Sequence, residues 1–473
     1  MSNIAYLIEA CCHLITLDAS QGVVRFVHYS AQEFLQSRPE FCGAQELVAS
    51  ICITSLGLSQ EFEADERHYY SVDGIYGYAA ENWQFHVKQL SAVSILRVLP
   101  LIRKIFSDAH HVKVWSGKYW LTHGWFRVSP SEAPAYLALC SFFGITAAVE
   151  FFLQDKTTEL DAKWYALRAA TAAGNQVLVQ LFLDNQVDIN ALDDKYGNAL
   201  QAAARHGQWA VAQLLLEKGA NINTQSGEYG NALQAAAWVG NEAVVRLLLE
   251  NGVDINAQGG KYGNALQAAA YYGQESMVRS LLENGADINA QGGEYGNALQ
   301  AAAFGDHEVV VRLLLESGAN INAQGGEYGN ALQAAATQFG EALVRLLLDN
   351  GADINSQGGR YGNALPAAAF YGREAVVRLL LESGADINAR GGKFNNALQA
   401  AAFVKDVAVV RLLLEYGADI NIQGGDCGDA LQAAVRSGKE GVVQFLLENW
   451  ANINTQGKQA VACIAGPRNS DTR

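Results

Sequence analysis

Prolines, paired cysteines and long apolar runs are scarce in this sequence of 473 residues. It has 6 prolines against 46 glycines, and its 7 cysteines form no CxxC pair and no zinc-finger spacing. No secretory signal pattern opens the chain, and the most apolar stretch, residues 93–106, is interrupted by charged residues and a proline. These absences predict a soluble protein without a membrane partner, in the reducing cytoplasm, with the nucleus left open.

Recognisable catalytic and cofactor motifs are also missing. Neither a GxxxxGK[ST] phosphate loop nor a GxSxG nucleophile elbow occurs in the sequence. The Cys-Cys-His run at residues 11–13 places neighbours on different helix faces, which argues against a nucleophile pair. His110, His111 and His123 lack a cysteine or carboxylate at supporting spacing, so packing of an aromatic segment explains them better than a metal. We therefore expect no enzyme, no cofactor and no metal site.

Acidic residues outnumber basic ones. The 48 Asp and Glu residues stand against 33 Lys and Arg residues, which gives a formal net charge of −15. A protein that binds a phosphate backbone gains affinity when its Lys and Arg side chains release counterions. The acidic balance therefore disfavours a nucleic-acid partner.

One phrase recurs along most of the chain with a step of 33 residues. The string YGNALQAAA starts at Tyr196, Tyr229, Tyr262, Tyr295 and Tyr328, recurs at Tyr361 with Pro in place of Gln, and has variants that start at Phe394 and Cys427. Weaker copies precede the series near residues 136 and 166. We count roughly ten repeats over residues 133–459, a period typical of a repeat solenoid.

Each copy of the repeat predicts two helices, a turn and a projecting loop. In the copy at 231–256, Asn231 and Gln234 form a capping-box pattern in front of an alanine-rich helix. Gly240 ends that helix, and a second helix with an apolar side follows. Gly252 then supplies the left-handed residue that ends the second helix. Such a pair buries its apolar faces only by stacking on its neighbours.

This 33-residue pattern resembles the ankyrin repeat. The run G-N-A-L-Q-A-A-A stands where that family has G-x-T-P-L-H-x-A-A, and Asn and Gln keep the capping function. The resemblance implies a mainly α fold, an ankyrin-repeat solenoid preceded by a small winged-helix and helical domain. Because ankyrin proteins bind other proteins, it also implies a protein–protein interaction scaffold or sensor.

Two adjacent positions before the turn glycine differ strongly between copies. In ankyrin proteins the matching positions line the concave groove that holds partners, and aromatic and Arg side chains dominate interface energetics. We predict the partner-binding residues to be Arg205, His206, Trp238, Tyr271, Tyr272, Phe304, Phe370, Tyr371 and Phe403. The alternative is that these rings only pack on the adjoining helix or loop.

The residue before each repeated tyrosine changes sign and is predicted to lie at a loop tip. These loop-tip charges, which tune partner choice or are merely solvated, are Lys195, Glu228, Lys261, Glu294, Glu327, Arg360 and Lys393. A repeated arginine, Arg246 in one copy, lies four residues before Glu or Asp and predicts surface pairs. The tyrosine column itself is interpreted as structural stacking between neighbouring repeats.

A different pattern precedes the repeats. Residues 14–17 and 23–28 alternate like strands around a turn at 18–22, and residues 30–33 form a capping box. The run VRFVHYSAQEFLQ is similar to the winged-helix region that joins the NTPase to an ankyrin array in fungal NACHT (NLR-like, STAND) proteins. Because the phosphate loop is missing, we expect a fragment or a shortened relative without the NTPase.

The sequence thus predicts a winged-helix-like module at 1–60, a helical linker at 61–132, ankyrin repeats at 133–459 and a disordered tail at 460–473. The predicted function is binding of a protein partner in the concave groove, in NLR-like signalling. Two alternatives stay open. One is a structural or autoinhibitory array that docks on its own N-terminal domain, and the other is nucleic-acid binding by the winged helix.

Overall fold

The computed structural model describes residues 84, 87–88, 90, 92–106, 135–156, 158–192, 197–404 and 407–449, and the backbone of 15–18 and 23–26. The chain divides into two compact units. Unit 1 comprises Met1–Ala191 and Asn198–Ala220, and unit 2 comprises Leu192–Gly197 and Asn221–Arg473. Within the described residues, each unit is built mainly from helices.

A short antiparallel hairpin lies near the start of unit 1. Strand β1 (Ile15–Asp18) pairs with strand β2 (Val23–Phe26), and Ile15 lies opposite Phe26. The strand pair that the alternating pattern predicted around residues 18–22 is thus confirmed. The helices predicted on either side of it, and with them the rest of the winged-helix module, lie outside the described residues.

Helix α1, Ala92–Phe106, precedes the repeats and packs against the first helix pair of unit 1. It contains the most apolar stretch of the sequence, and Leu99 and Ile102 on one of its sides are buried. Arg103 Nη1 donates a hydrogen bond to Asp155 Oδ2 at 2.6 Å, which ties the helix to the end of that pair. In the part of the chain that the structure describes, no helix combines the length and the hydropathy of a membrane span.

From residue 135 onward the described residues form ten consecutive helix pairs, which agrees with the predicted number of repeats. The first helix of each pair, the A helix, is α2 (Ala135–Phe142), α4 (Leu160–Ala172), α6 (Ala199–Arg205), α8 (Ala232–Val239), α10 (Ala265–Tyr271), α12 (Ala298–Phe304), α14 (Ala331–Ala336), α16 (Ala364–Phe370), α18 (Ala397–Phe403) and α20 (Ala430–Arg436). The second helix, the B helix, is α3 (Thr146–Gln154), α5 (Gln176–Asp184), α7 (Trp209–Glu217), α9 (Glu242–Glu250), α11 (Glu275–Glu283), α13 (Glu308–Glu316), α15 (Glu341–Asp349), α17 (Glu374–Glu382), α19 (Val407–Glu415) and α21 (Glu440–Glu448).

The A helices begin and end as the sequence predicts. Asn231 Oδ1 accepts a hydrogen bond from the Gln234 backbone N–H at 2.9 Å, and Gln234 Oε1 accepts one from the Asn231 N–H at 3.1 Å. The capping box is therefore complete. Gly240 and Gly252 both have a positive φ, which lets the chain turn after α8 and after α9.

The buried glutamine of the A helix also joins one repeat to the next. Gln234 Nε2 donates to the carbonyl oxygens of Ala257 and Gly263, at 3.1 and 2.8 Å, and both lie in the following loop. The same pattern recurs at Gln267, Gln300, Gln333 and Gln399. The capping box predicted only the first role of this side chain, because the loop that it reaches is 23–29 residues away.

The core of each repeat lies between its two helices and those of its neighbours. Three consecutive alanines of the A helix, 235–237 in α8, are buried, and their small side chains let neighbouring A helices pack closely. Val244, Val245 and Leu248 of the B helix fill the remaining space. Burial of such apolar surface, worth roughly 25 cal/mol per Å², is the main stabilising term of the array.

Two local departures from the repeat preserve the fold. Pro366 is the third residue of α16, where its missing N–H is not needed, and Asn363 Oδ1 accepts from the Leu365 N–H instead. Asp306 takes the place of a turn glycine and adopts its left-handed conformation, with a φ of 59°. Short polar side chains tolerate this conformation better than most.

Three arginines of the B helices pair in the opposite direction from our prediction. Arg312 contacts Glu308, four residues before it, at 2.8 Å, whereas the sequence pattern suggested Glu316, four residues after it. Arg279 and Arg378 likewise contact the glutamate that precedes them. The predicted direction was wrong because a Glu four residues N-terminal to the basic residue has the better geometry and lies near the positive helix N-terminus.

Candidate functional site

The variable positions lie at the C-terminal end of each A helix, directly before the turn to the B helix. Tyr272 is 39% exposed. The other predicted rings of unit 2 are half-buried, namely Trp238, Tyr271, Phe304, Phe370, Tyr371 and Phe403. Each ring is therefore anchored on one side and open to solvent on the other.

The repeated tyrosines, which we call the tyrosine column, are buried and lie against these rings. Tyr262 stacks on Tyr295 with 6.3 Å between ring centroids and 18° between ring planes. The variable rings insert beside this column: Tyr271 lies 4.8 Å from Tyr295, and Phe304 lies 4.7 Å from Tyr328. The predicted stacking between repeated tyrosines is thus confirmed at Tyr262 and Tyr295, and packing accounts for one side of the variable rings.

A second run of stacked rings follows further along unit 2. Phe394 lies 6.5 Å from Tyr361, 4.9 Å from Phe370 and 5.3 Å from Phe403. Thr337 stands between the two runs, where the neighbouring repeats have a ring, and it is buried. Its hydroxyl donates to a carbonyl oxygen of its own helix at 2.7 Å. The aromatic surface of unit 2 thus has two parts.

Phenol groups meet in pairs within this surface. Tyr262 Oη lies 3.0 Å from Tyr272 Oη, and Tyr361 Oη donates to Tyr371 Oη at 3.2 Å. Burial, followed by these hydrogen bonds, raises the pKa of Tyr262 and of Tyr361 well above the usual range. These two phenols therefore stay neutral at pH 7, and the rings offer apolar edges together with hydroxyl groups.

The loop tips form a continuous ladder of backbone hydrogen bonds. Each tip N–H donates to the tip carbonyl oxygen 33 residues before it, as in Lys261 to Glu228 at 2.9 Å and Glu294 to Lys261 at 2.8 Å. The ladder continues to Asp426, which donates to Lys393 at 3.2 Å. The tips from Glu228 to Asp426 are therefore held in a fixed row.

Two pairs of loop-tip charges also contact each other through their side chains. Arg360 Nη1 lies 2.8 Å from Glu327 Oε1, and Lys261 Nζ lies 3.5 Å from Glu294 Oε2. These two contacts partly neutralise the charges of the loop tips, so the row of tips carries charges of both signs rather than of one sign. Lys195 lies outside the described residues.

In unit 1 the variable positions hold Arg205 and His206, which are half-buried. Burial, together with the charges of Arg205 and Arg168, lowers the pKa of His206 to about 4, so its ring is neutral at pH 7. The Arg168 guanidinium lies 5.5 Å from the Trp164 ring and 5.2 Å from the Tyr165 ring. Sequence reasoning missed Arg168, although its position, where later copies have the buried glutamine, was an available signal.

Neither metal binding nor nucleophilic chemistry emerges from the described residues. They hold no group of three or more His, Cys, Asp or Glu side chains that could bind a metal ion. Burial raises the pKa of the Cys140 thiol to about 12, which makes it a poor nucleophile. The histidines considered for a metal and the Cys-Cys-His run at residues 11–13 lie outside the described residues.

A family model matches the repeated part of the chain. Its description is ankyrin repeats (3 copies), and it matches residues 137–226, 225–292, 266–358, 298–391 and 391–457, which is more than half of the chain. No curated protein matches the chain at a significant level. Since the matched residues coincide with the helix pairs and their connecting loops, the chain belongs to the ankyrin-repeat family.

Proposed function

We propose that this ankyrin-repeat protein binds a protein partner through its variable face, which we define as the C-terminal ends of the A helices together with the loop tips. Ankyrin repeats are in general protein-interaction modules. The single observation that carries the proposal is that half-exposed rings at the variable positions rest on a fixed column of buried tyrosines. We further propose that the protein does this as a non-enzymatic scaffold or sensor in the cytoplasm.

The support of these rings has an energetic consequence for binding. Side chains that are already packed on one side lose little rotamer freedom when a partner covers the other side. Tyr and Trp are the residue types that most often contribute large binding energies. A suitable partner offers apolar groups to the rings, hydrogen-bonding groups to the Tyr272 and Tyr371 hydroxyls, and charges that complement the loop tips.

The test compares partners retained by the wild-type chain and by a variant that carries Tyr272→Ala and Tyr371→Ala. Quantitative mass spectrometry after affinity capture measures each partner. We expect partners of the variable face to drop by at least about tenfold, since such residues carry most interface energy. Val309→Ala on helix α13 is the matched control, because Val309 is 59% exposed and lies on a B helix.

A variant that keeps every partner at the wild-type level, with unchanged thermal unfolding, contradicts the proposal. Once a partner is identified, its affinity for purified wild-type and variant chains gives the same comparison without other cellular proteins. A loss that also occurs with Val309→Ala contradicts the assignment to the variable face.

A structural role is the second candidate, because α1 packs on the first helix pair of unit 1. The Arg103–Asp155 hydrogen bond supports an N-terminal segment that docks on its own array and covers its end. In that case Asp155→Asn lowers the thermal stability of the chain while partner capture by the variable face is unchanged. A variant that loses the partner but keeps its stability contradicts this second role.

The finer part of the proposal concerns signalling. The similarity of residues 1–90 to the winged-helix region of fungal NACHT proteins supports a place in NLR-like signalling, where an ankyrin array recognises a trigger. Of the module at 1–60, only the β1–β2 hairpin lies in the described residues. A structure of residues 1–60 without a helix packed against that hairpin contradicts this part of the proposal.

A further inference from the structure

An open groove lies on the B helices of unit 1, whereas the variable face is formed by A helices and loop tips. It runs between α3, α5 and α7 and has a volume of about 690 Å³. Its apolar lining comes from Val177, Leu181, Trp209 and Leu214. Val177 is 69% exposed and Trp209 is 46% exposed, so large apolar side chains face solvent there.

Glutamine stands in two B helices of the groove where most B helices of unit 2 have the repeated arginine. In unit 2 this arginine lies either along its own helix, as Arg312 does beside Glu308, or over the next B helix, as the Arg411 guanidinium does above the Phe445 ring at 5.1 Å. Gln180 and Gln213 occupy the position in α5 and α7, and both bond within their own helices. Neither glutamine carries a charge, so the surface between α5 and α7 lacks the cation that the repeated arginine supplies in unit 2.

A second substitution makes the groove apolar. In unit 2 most B helices begin with a glutamate, as α9 does with Glu242 and α13 with Glu308. Trp209 is the first residue of α7. Both members of the Glu–Arg combination are therefore replaced in this helix, and α7 presents an aromatic ring and a neutral amide where most B helices of unit 2 present two charges.

Acidic groups line one end of the groove. Asp184 and Glu217 are the last residues of α5 and α7, whereas Glu150, the middle residue of α3, lines the groove further along. Gln180 donates to Asp184 at 2.6 Å and Gln213 donates to Glu217 at 2.9 Å, which holds the two carboxylates in place. The negative ends of the two helix dipoles add to their charge. Among the described residues that line the groove, none is Lys, Arg or His.

We propose that this groove binds an amphipathic helix of another protein, distinct from the partner of the variable face. The apolar side of the helix contacts Trp209 and Val177, and its Lys or Arg residues lie at the end near Asp184 and Glu217. A helix suits the site better than an extended strand, because the groove is walled by helices, which leave no backbone edge for a strand to pair with.

The test uses the full chain and a fluorescent peptide of about 16 residues, roughly four helical turns, with Leu and Lys in an amphipathic order. Fluorescence anisotropy gives its Kd. Replacing Trp209→Glu and Gln213→Arg together introduces the pair present at Glu275 and Arg279, so this variant is expected to fold. We expect it to bind the peptide at least about tenfold more weakly than the wild-type chain.

Two control peptides separate the groove from simple charge attraction. One has the same Leu and Lys composition in a scrambled order, and the other has Glu in place of Lys. We expect each to bind at least about tenfold more weakly than the amphipathic Leu/Lys peptide. Equal binding of the scrambled peptide overturns the proposal of a helix-binding groove.

A matched pair of charge variants locates the attraction. Asp184→Asn with Glu217→Gln removes two charges at the groove, and Glu283→Gln with Glu316→Gln removes two at the equivalent positions of α11 and α13. We expect only the first variant to weaken binding, by about tenfold. Equal weakening by both variants overturns the proposal.

An unchanged Kd in the Trp209→Glu, Gln213→Arg variant, with a wild-type circular dichroism spectrum, also overturns the proposal. Should that variant unfold, Val177→Glu gives a second reading, because Val177 is exposed and its replacement leaves the core intact. The Tyr272→Ala, Tyr371→Ala variant is expected to bind the peptide with wild-type affinity. That outcome separates this groove from the variable face.

Discussion

Gln267 and Gly296, which are 29 residues apart, are joined by a hydrogen bond of 2.9 Å from the glutamine Nε2 to the glycine carbonyl oxygen. The same side chain accepts a hydrogen bond from the Asn264 N–H at 2.9 Å. One buried amide therefore both caps its own helix and fixes the loop of the following repeat. A side chain with two such partners carries more of the stability than its surface area indicates.

We predict that Gln267→Ala lowers the free energy of unfolding by about 1–3 kcal/mol, because it leaves buried polar backbone groups without a partner. Urea unfolding followed by circular dichroism measures the change. Gln444→Ala is the matched control, since Gln444 is exposed and bonds only along its own helix to Glu448. Equal effects of the two substitutions contradict the joining role of Gln267.

Substitutions at two glycines with nearly the same backbone conformation distinguish the cost of a left-handed backbone from the cost of a steric clash. Gly263 has a φ of +90° and Gly285 a φ of +91°, but only at Gly263 does an added Cβ collide with Gln267 Oε1 and the Gly292 backbone. We expect Gly285→Ala to cost about 1–2 kcal/mol of stability, the cost of the left-handed conformation alone. Gly263→Ala is expected to cost more, and thermal unfolding of the two variants side by side checks the order.

His206 predicts a pH dependence in the acidic range. Its pKa in the folded chain is about 4, against an ordinary value of 6.5, so between these values the unfolded chain binds the proton and the folded chain does not. Stability therefore falls as the pH is lowered through this window. We expect His206→Gln to flatten that part of the curve of unfolding midpoint against pH. A variant curve parallel to that of the wild type contradicts the assignment of this pH dependence to His206.

The raised pKa values of the buried tyrosines predict a loss of stability at alkaline pH. Burial first, and neighbouring phenols second, raise the pKa values of Tyr262 and Tyr361 above the ordinary value, while unfolded tyrosines ionise near pH ~10. The unfolded chain therefore releases protons first, and stability is lost as the pH rises. Ultraviolet titration should show tyrosines that ionise only when the circular dichroism signal is lost, and Tyr262→Phe should lose stability less steeply. Full ionisation of a native chain contradicts this prediction.

Most of the repeat fold was predictable because its signals are local. Asn231, Gly240 and Gly252 act within a few residues of themselves, and each has the predicted role. The bonds of Gln234 to the next loop were missed, because they depend on a neighbouring repeat whose position a single copy does not specify. The direction of the Arg312 pair was missed for a different reason, since acidic residues lie four positions away on both sides.

Variation between copies led to the prediction of the candidate site, but the contacts that support its rings were not predicted. Variation between copies pointed to Trp238 and Tyr271, yet the spacing alone did not show that a tyrosine ring lies against each of them. The contact between Glu327 and Arg360 was also missed, although residues of opposite charge one repeat apart were a visible signal. That signal becomes useful only once the backbone ladder sets neighbouring tips side by side.

The joint between repeats uses backbone carbonyl oxygens as acceptors, which are the same whatever side chains the loop carries. A gene duplication that copied residues 264–296 would therefore add a complete repeat to the array, because the added repeat would form the same contacts with its neighbours. The exposed positions of the added repeat could then diverge under selection, because they do not take part in these contacts. The near-identity of the copies in this chain is what recent growth by such a route would leave behind.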